Sequence, residues 1–134
     1  MIQKIITSSE WLLSRKKKKH KFNAVRCESN GIKFPSKLEK EYYDRLVKSQ
    51  EMGKISYFLQ QVPFRLPGNV KYVVDFMVIR LMDGEYPYVH DHIEYVDVKG
   101  KMTPMSILKI KQVEALYPIK VKIVDSKYMK TNYL

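Results

Sequence analysis

One cysteine, Cys27, occurs in the 134 residues, so an internal disulfide framework is excluded and a reducing compartment fits. Long hydrophobic runs are missing: no apolar stretch approaches the roughly 20 residues that cross a bilayer. The short apolar stretch at the N-terminus precedes its basic cluster, the reverse of a secretory signal. The expectation is a soluble cytoplasmic protein with no membrane partner. Several chemistries also lack their residues. No G-x-x-x-x-G-K-[ST] supports nucleotide hydrolysis, and no Ser/His/Asp or Cys/His pattern supports nucleophilic catalysis. His90, Asp91 and His92 have no further His or Cys nearby to complete a four-ligand zinc site, so they read as a turn or strand entry. Acid is scarce as well, with 14 Asp/Glu against 25 Lys/Arg and a net charge of +11.

The distribution of that charge carries more than its sum. Residues 1–26 hold eight Lys/Arg against one acid, residues 27–98 hold nine against eleven, and residues 99–134 hold eight against two. A slightly acidic middle between two basic flanks suits a protein that grips a polyanion at its edges and keeps carboxylates at its centre. The bland alternative is a lysine-rich surface that only confers solubility. "SRKKKKHK" (14–21) has no apolar periodicity, so residues 1–21 read as a flexible basic arm and 22–134 as one domain. Arg15, Lys16, Lys17, Lys18, Lys19 and Lys21 are then candidates for nucleic-acid contact, with a solvated linker as the competing reading.

Hydrophobic periodicity places the elements. Ser36 and Glu39 form the S-x-x-E pattern of a helix start, and Gly53 supplies a stop. Leu38, Tyr42, Tyr43, Leu46 and Val47 fall on one half of that helix, with Glu39 in their middle. "ISYFLQQVPFRL" and "VKYVVDFMVIRL" read as strands joined by a turn at Pro67-Gly68-Asn69, and "YVHDHIEYVDVKG" as a third strand. Thr103 and Pro104 open a second helix over about 104–117, whose apolar arc is read as Met105, Leu108, Gln112, Val113 and Leu116 with Lys109 inside it. "IKVKIV" (119–124) alternates as a half-buried strand, and Asp125-Ser126-Lys127 reads as a strand end and loop. The order helix-β-β-β-helix-β predicts an α/β fold with a mixed central sheet flanked by helices.

Three acids sit where burial penalises them. In "EYVDVKG", alternation puts Asp97 and Lys99 on one face, about 7 Å apart along the strand. Asp75 is the only charge in "VVDFMV", and Glu39 lies on the buried stripe of the first helix. A hard divalent cation compensates such oxygens economically, and that arrangement supports phosphodiester hydrolysis. Lys99 is placed to orient or deprotonate water or to neutralise charge on phosphorus. Each residue also has a plainer use: Glu39 as a capping partner of Ser36, Asp75 at a bulge, Asp97 and Lys99 as an ion pair.

"FPSKLEKEYY", "YVVDFMV" and "EYVDVKG", followed by a helix and a closing strand, together resemble the PD-(D/E)XK nuclease superfamily. Their order is similar to that of phage endonuclease I-type Holliday-junction resolvases and transposon-end nucleases. The stretch from about 20 to 125 also resembles a family of small phage and prophage proteins carrying "GIKF-S-K-E-YY" and "VDVKG". The resemblance implies a restriction-endonuclease-like core, Glu39, Asp75 and Asp97 as metal ligands, and Lys99 as the catalytic lysine. It departs from the superfamily pattern at Val74, where proline commonly precedes the acid, and at Asp97, where glutamate is commoner. Lys101, Lys109 and Gln112 join the candidate DNA contacts, since such second helices reach the phosphate in related nucleases.

The expectation is a Mg²⁺-dependent DNA endonuclease, with Mn²⁺ as a substitute, selective for branched DNA and active as a homodimer. Rival expectations are a DNA-binding module that keeps the fold without catalysis, and a nuclease acting on flaps or ends within a transposition or packaging complex.

Overall fold

A computed structural model of the chain describes residues 27–81 and 92–132. A small antiparallel hairpin, β1 (Cys27–Ser29) with β2 (Ile32–Phe34), comes first, its turn using left-handed backbone at Asn30 and Gly31. Helix α1 (Lys37–Glu51) follows, then β3 (Ile55–Leu66), β4 (Val70–Arg80), β5 (His92–Val98), α2 (Pro104–Leu116), β6 (Val121–Val124) and α3 (Ser126–Thr131). The four long strands form one mixed sheet in the order β3-β4-β5-β6. It is antiparallel up to β5, and β6 is added in parallel after the α2 crossover. The mixed α/β sheet with flanking helices read from the sequence is thus present. The β1–β2 hairpin and α3 extend the expected order at its two ends.

Capping residues fix both long helices. Ser36 Oγ accepts the Glu39 amide at the start of α1, and Thr103 and Ser106 form a reciprocal capping box before Pro104 at the start of α2. On α1 the buried residues are Glu39, Tyr42, Tyr43, Leu46 and Ser49, which is the predicted stripe with its acid included. Tyr42 and Leu46 pack on Phe76, Val78, Val96, Val98 and Val124 to make a first core on one face of the sheet. A second core contains Phe64, Leu66, Tyr72, Val74, Ile110 and Val113 under α2, with Phe64 edge-on to Tyr95 and Tyr117 at 5.5 and 5.0 Å.

β4 serves both cores with residues of one parity. Tyr72 and Val74 belong to the second core, Phe76 and Val78 to the first. Side chains alternate along a strand, so the β3–β4 ribbon must turn over between Val74 and Phe76. The ladder runs Gln60–Phe76 and then Val62–Val74, leaving Gln61 opposite Asp75, and Gln61 has φ +53°. Two-stranded ribbons twist strongly, and an unusual backbone residue concentrates the twist. Asp75 therefore marks the seam where the two cores meet.

Two sequence expectations are corrected. Of the expected arc on α2, Val113 is buried, but Met105, Leu108, Gln112 and Leu116 are exposed, and Ile110 joins Val113 in facing the sheet. The helix is apolar on most sides, so its periodicity does not single out the face that meets the second core. Asp125 is no strand-end loop residue but the N-cap of α3, its Oδ1 accepting the Tyr128 amide at 2.7 Å.

Candidate functional site

The β4–β5 ladder ends at Phe76 opposite Val96. Beyond that pair, the Val98 amide donates to Asp75 Oδ2 at 2.7 Å, so a side-chain carboxylate fills the place of a backbone acceptor. On its other side β5 stays attached to β6, and the Lys99 amide reaches the Val124 carbonyl at 2.9 Å. The strands separate on one side only, and the candidate acids collect at the divergence.

Asp97 is fully buried, and its Oδ2 accepts a hydrogen bond from the Tyr72 hydroxyl. Lys99 Nζ approaches Asp97 Oδ1 at 3.1 Å. That approach is an ion pair without hydrogen-bond alignment, because Oδ1 remains without a hydrogen-bond partner. The Lys99 side chain is 30% exposed, so the pair joins a buried anion to a cation at the surface. Asp75 Oδ1 accepts from Gln61 Nε2 at 3.2 Å. Glu39 is buried at the first turn of α1, where Ser36 Oγ donates to its Oε1 at 3.3 Å.

These groups act on one another electrostatically. Burial pushes the Asp75 carboxyl up to about 8, helped by the adjacent Asp97 carboxyl and by the charge of Glu39, against the Val98 amide. Burial also raises Glu39; the Ser36 hydrogen bond and the Lys99 charge lower it, and the Asp97 charge raises it. Burial raises the Tyr72 phenol, and its hydrogen bond to Asp97 raises it further. Three elements thus bring Glu39, Asp75, Asp97 and Lys99 into one electrostatic neighbourhood.

Among the described residues, no three His, Cys, Asp or Glu side chains stand close enough to hold a metal ion as they are. The donor set nevertheless suits a hard cation. All three side chains offer oxygen, the buried Asp97 Oδ1 lacks a hydrogen-bond donor, and burial together with the neighbouring carboxylates favours the protonated form of Asp75. Lys99 supplies a positive charge beside Asp97.

The remaining candidates lie elsewhere. Lys109 Nζ is directed at the Lys71 carbonyl at 3.5 Å, tying α2 to β4, and Gln112 is exposed on α2. Lys101 is exposed just ahead of that helix. Gln112 does not take the inward orientation considered for it, because Ile110 and Val113 take the sheet-facing side, whereas Lys109 is half-buried and turns back to β4. Arg15, Lys16, Lys17, Lys18, Lys19 and Lys21 lie outside the described residues, as do His90 and Asp91. His92 begins β5, with Nε2 3.8 Å from Glu94.

Sequence reasoning missed Tyr72 and Gln61. Gln61 carries no composition signal, since its left-handed backbone follows from the ribbon turning over. Tyr72 is recoverable only through register: extending the Phe76–Val96 pairing places the segment before Asp75 beside the segment after Asp97.

No curated protein and no solved structure matches the chain. Residues 19–132 match the family model described as a protein of unknown function, DUF1064, and over that span the chain belongs to this family.

Proposed function

We propose that this protein is a divalent-metal-dependent DNA endonuclease in which Glu39, Asp75 and Asp97 hold the cation, Mg²⁺ with Mn²⁺ as substitute, and Lys99 assists the reaction. The observation that carries this reading is the convergence of three costly carboxylates and one lysine, from three elements, at the point where β4 leaves β5. A fold spends little stability on buried like charges unless they have a use. A divalent cation held by these carboxylates would supply compensating positive charge and would polarise a phosphodiester.

The chain's own groups supply the rest. Val98 and Gln61 fix Asp75 through both of its oxygens. Ser36 holds Glu39 at the first turn of α1, so a helix and a strand offer carboxylates from different directions. Lys99, anchored on Asp97 and partly exposed, is the group able to meet the phosphate or the attacking water. In hydrolysis, water oxygen bonds to phosphorus and the ester P–O bond breaks. Its electron pair leaves with the alcohol oxygen, which then takes a proton.

The basic flanks favour recognition of backbone over base sequence. We take the substrate to be branched DNA, a four-way junction in the leading form, with two symmetric cuts made by a homodimer.

One observation favours a second reading. Asp97 is fully buried, with one oxygen engaged by Tyr72 and the other paired with Lys99, as in a structural polar cluster of a DNA-binding module without catalysis. Incubating wild type and Asp97→Asn with linear and four-way-junction DNA, in Mg²⁺ or in EDTA, separates the two. Nicking only by wild type with metal supports the nuclease. Binding without cutting under every condition supports the module, and equal cutting of both DNAs leaves a nuclease without junction preference.

A further inference from the structure

Tyr72 lies three residues before Asp75 on β4, with its ring buried in the second core beside Val74, Ile110 and Val113. Only its hydroxyl is polar, and it is donated to Asp97 Oδ2. A buried tyrosine hydroxyl normally finds a partner. Here the partner is a carboxylate that is itself fully buried, so the contact joins the α2 packing layer to the acid cluster. The two oxygens of Asp97 are consequently unequal. Oδ2 is held by the phenol, while Oδ1 faces the Lys99 ammonium and has no hydrogen-bond partner.

Resting on the reading of the cluster as a cation site, we infer that Tyr72 is a positioning residue. By holding Oδ2 it fixes the Asp97 carboxylate so that Oδ1 is the oxygen offered to a divalent cation. Hydrogen bonds behind a ligating carboxylate set its orientation, and their loss typically weakens metal affinity about 10-fold to 100-fold. A phenol that merely satisfied a buried acid would affect folding and leave cation affinity alone.

The test uses the full chain as wild type, Tyr72→Phe, Leu66→Ala, Asp97→Asn and the double variant Asp97→Asn/Tyr72→Phe. Each is titrated with MgCl₂, following heat of binding and the rise in Tm. Tyr72→Phe keeps the ring and removes one oxygen. It is expected to raise the Mg²⁺ concentration for half-saturation about 10-fold or more. Leu66→Ala perturbs the same core without touching Asp97, and is expected to lower Tm in EDTA while leaving half-saturation unchanged. The double variant is expected to match Asp97→Asn, because Tyr72 acts through that carboxylate.

Equal half-saturation in wild type and Tyr72→Phe overturns the inference, even where both cut DNA. Further weakening in the double variant overturns the route through Asp97. A wild type that binds Mg²⁺ without cutting removes the nuclease reading and leaves the Tyr72 inference standing on the titration. A wild type that binds no Mg²⁺ overturns both.

Discussion

The Val98 amide and the Asp75 carboxylate meet at 2.7 Å just past the last β4–β5 backbone pair, so a side chain closes a gap that the ladder leaves open. This contact ties an acid to the strand that carries Asp97 and Lys99. The same carboxylate is pushed toward its protonated form by burial and by Asp97 and Glu39, and the Val98 amide opposes that push.

Protonation of Asp75 makes stability depend on pH when metal is chelated. The folded carboxyl is raised from 3.8 to about 8 by burial first and then by Asp97 and Glu39. Between those values the folded state retains a proton that the unfolded chain has released, so stability falls as pH rises through the window. In EDTA, Tm is expected to be higher near pH 5 than near pH 9, a decline that Asp75→Asn flattens. An unchanged slope in that variant assigns the pH dependence to other groups.

Removing a carboxylate is expected to separate activity from stability. Asp75→Asn and Glu39→Gln each remove a group whose charged form burial disfavours in the metal-free protein, so their Tm in EDTA near pH 8 stays level with wild type or rises. Mg²⁺-dependent cutting is expected to fall about 100-fold or more with the loss of a ligand. A variant that melts early and still cuts DNA contradicts this assignment.

On the proposed reading, Lys99 competes with a cation at Asp97 and also assists the reaction. Lys99→Met removes a charge 3.1 Å from Asp97 Oδ1, so Mg²⁺ half-saturation is expected to stay equal or move to lower concentration. The cutting rate at saturating Mg²⁺ is expected to drop about 100-fold or more, in the range of a lost acid–base group. Weaker Mg²⁺ binding with an unchanged rate would assign Lys99 to structure instead.

Glu94 provides a contrast outside the cluster. Burial pushes its carboxyl up, but Arg80 at 3.0 Å and Lys122 at 3.5 Å outweigh that and hold it below its usual value. The stability it contributes is present above the unfolded value of 4.5 and is lost as pH falls through the lower folded one. Glu94→Gln is expected to cost about 1–3 kcal/mol near neutral pH. Cutting below the melting range should survive, as read by denaturation and nicking assays on the same preparation.

Deleting residues 14–21 is expected to weaken DNA binding and flatten its salt dependence, by about 0.9 in log–log slope for each duplex phosphate that the arm no longer neutralises. Unchanged affinity and slope would make the arm a linker.

The sequence was most legible where periodicity and burial agree. β3 matches the "ISYFLQQVPFRL" run, and the acid on the apolar stripe of α1 is buried as the helical spacing predicts. Asp97 lies on β5 and Lys99 just past its end, and the two side chains pair as the expected alternation allows. α2 misled because a helix apolar on most sides lets tertiary contacts choose the buried face: Val113 is buried as expected, but Ile110 joins it in place of Met105, Leu108 and Leu116. The Tyr72–Asp97 contact spans 25 residues of chain and depends on strand register, which local patterns do not encode. Gln61 became significant only because the β3–β4 ribbon turns over at its position.

The convergence of Glu39, Asp75 and Asp97 on one cation is tested most directly by crystals grown with Mn²⁺ and measured at the manganese absorption edge. The account predicts an anomalous peak bounded by these three carboxylates, absent in Asp97→Asn. Manganese bound elsewhere, or no peak at the β4–β5 divergence at a Mn²⁺ concentration that supports cutting, would contradict it.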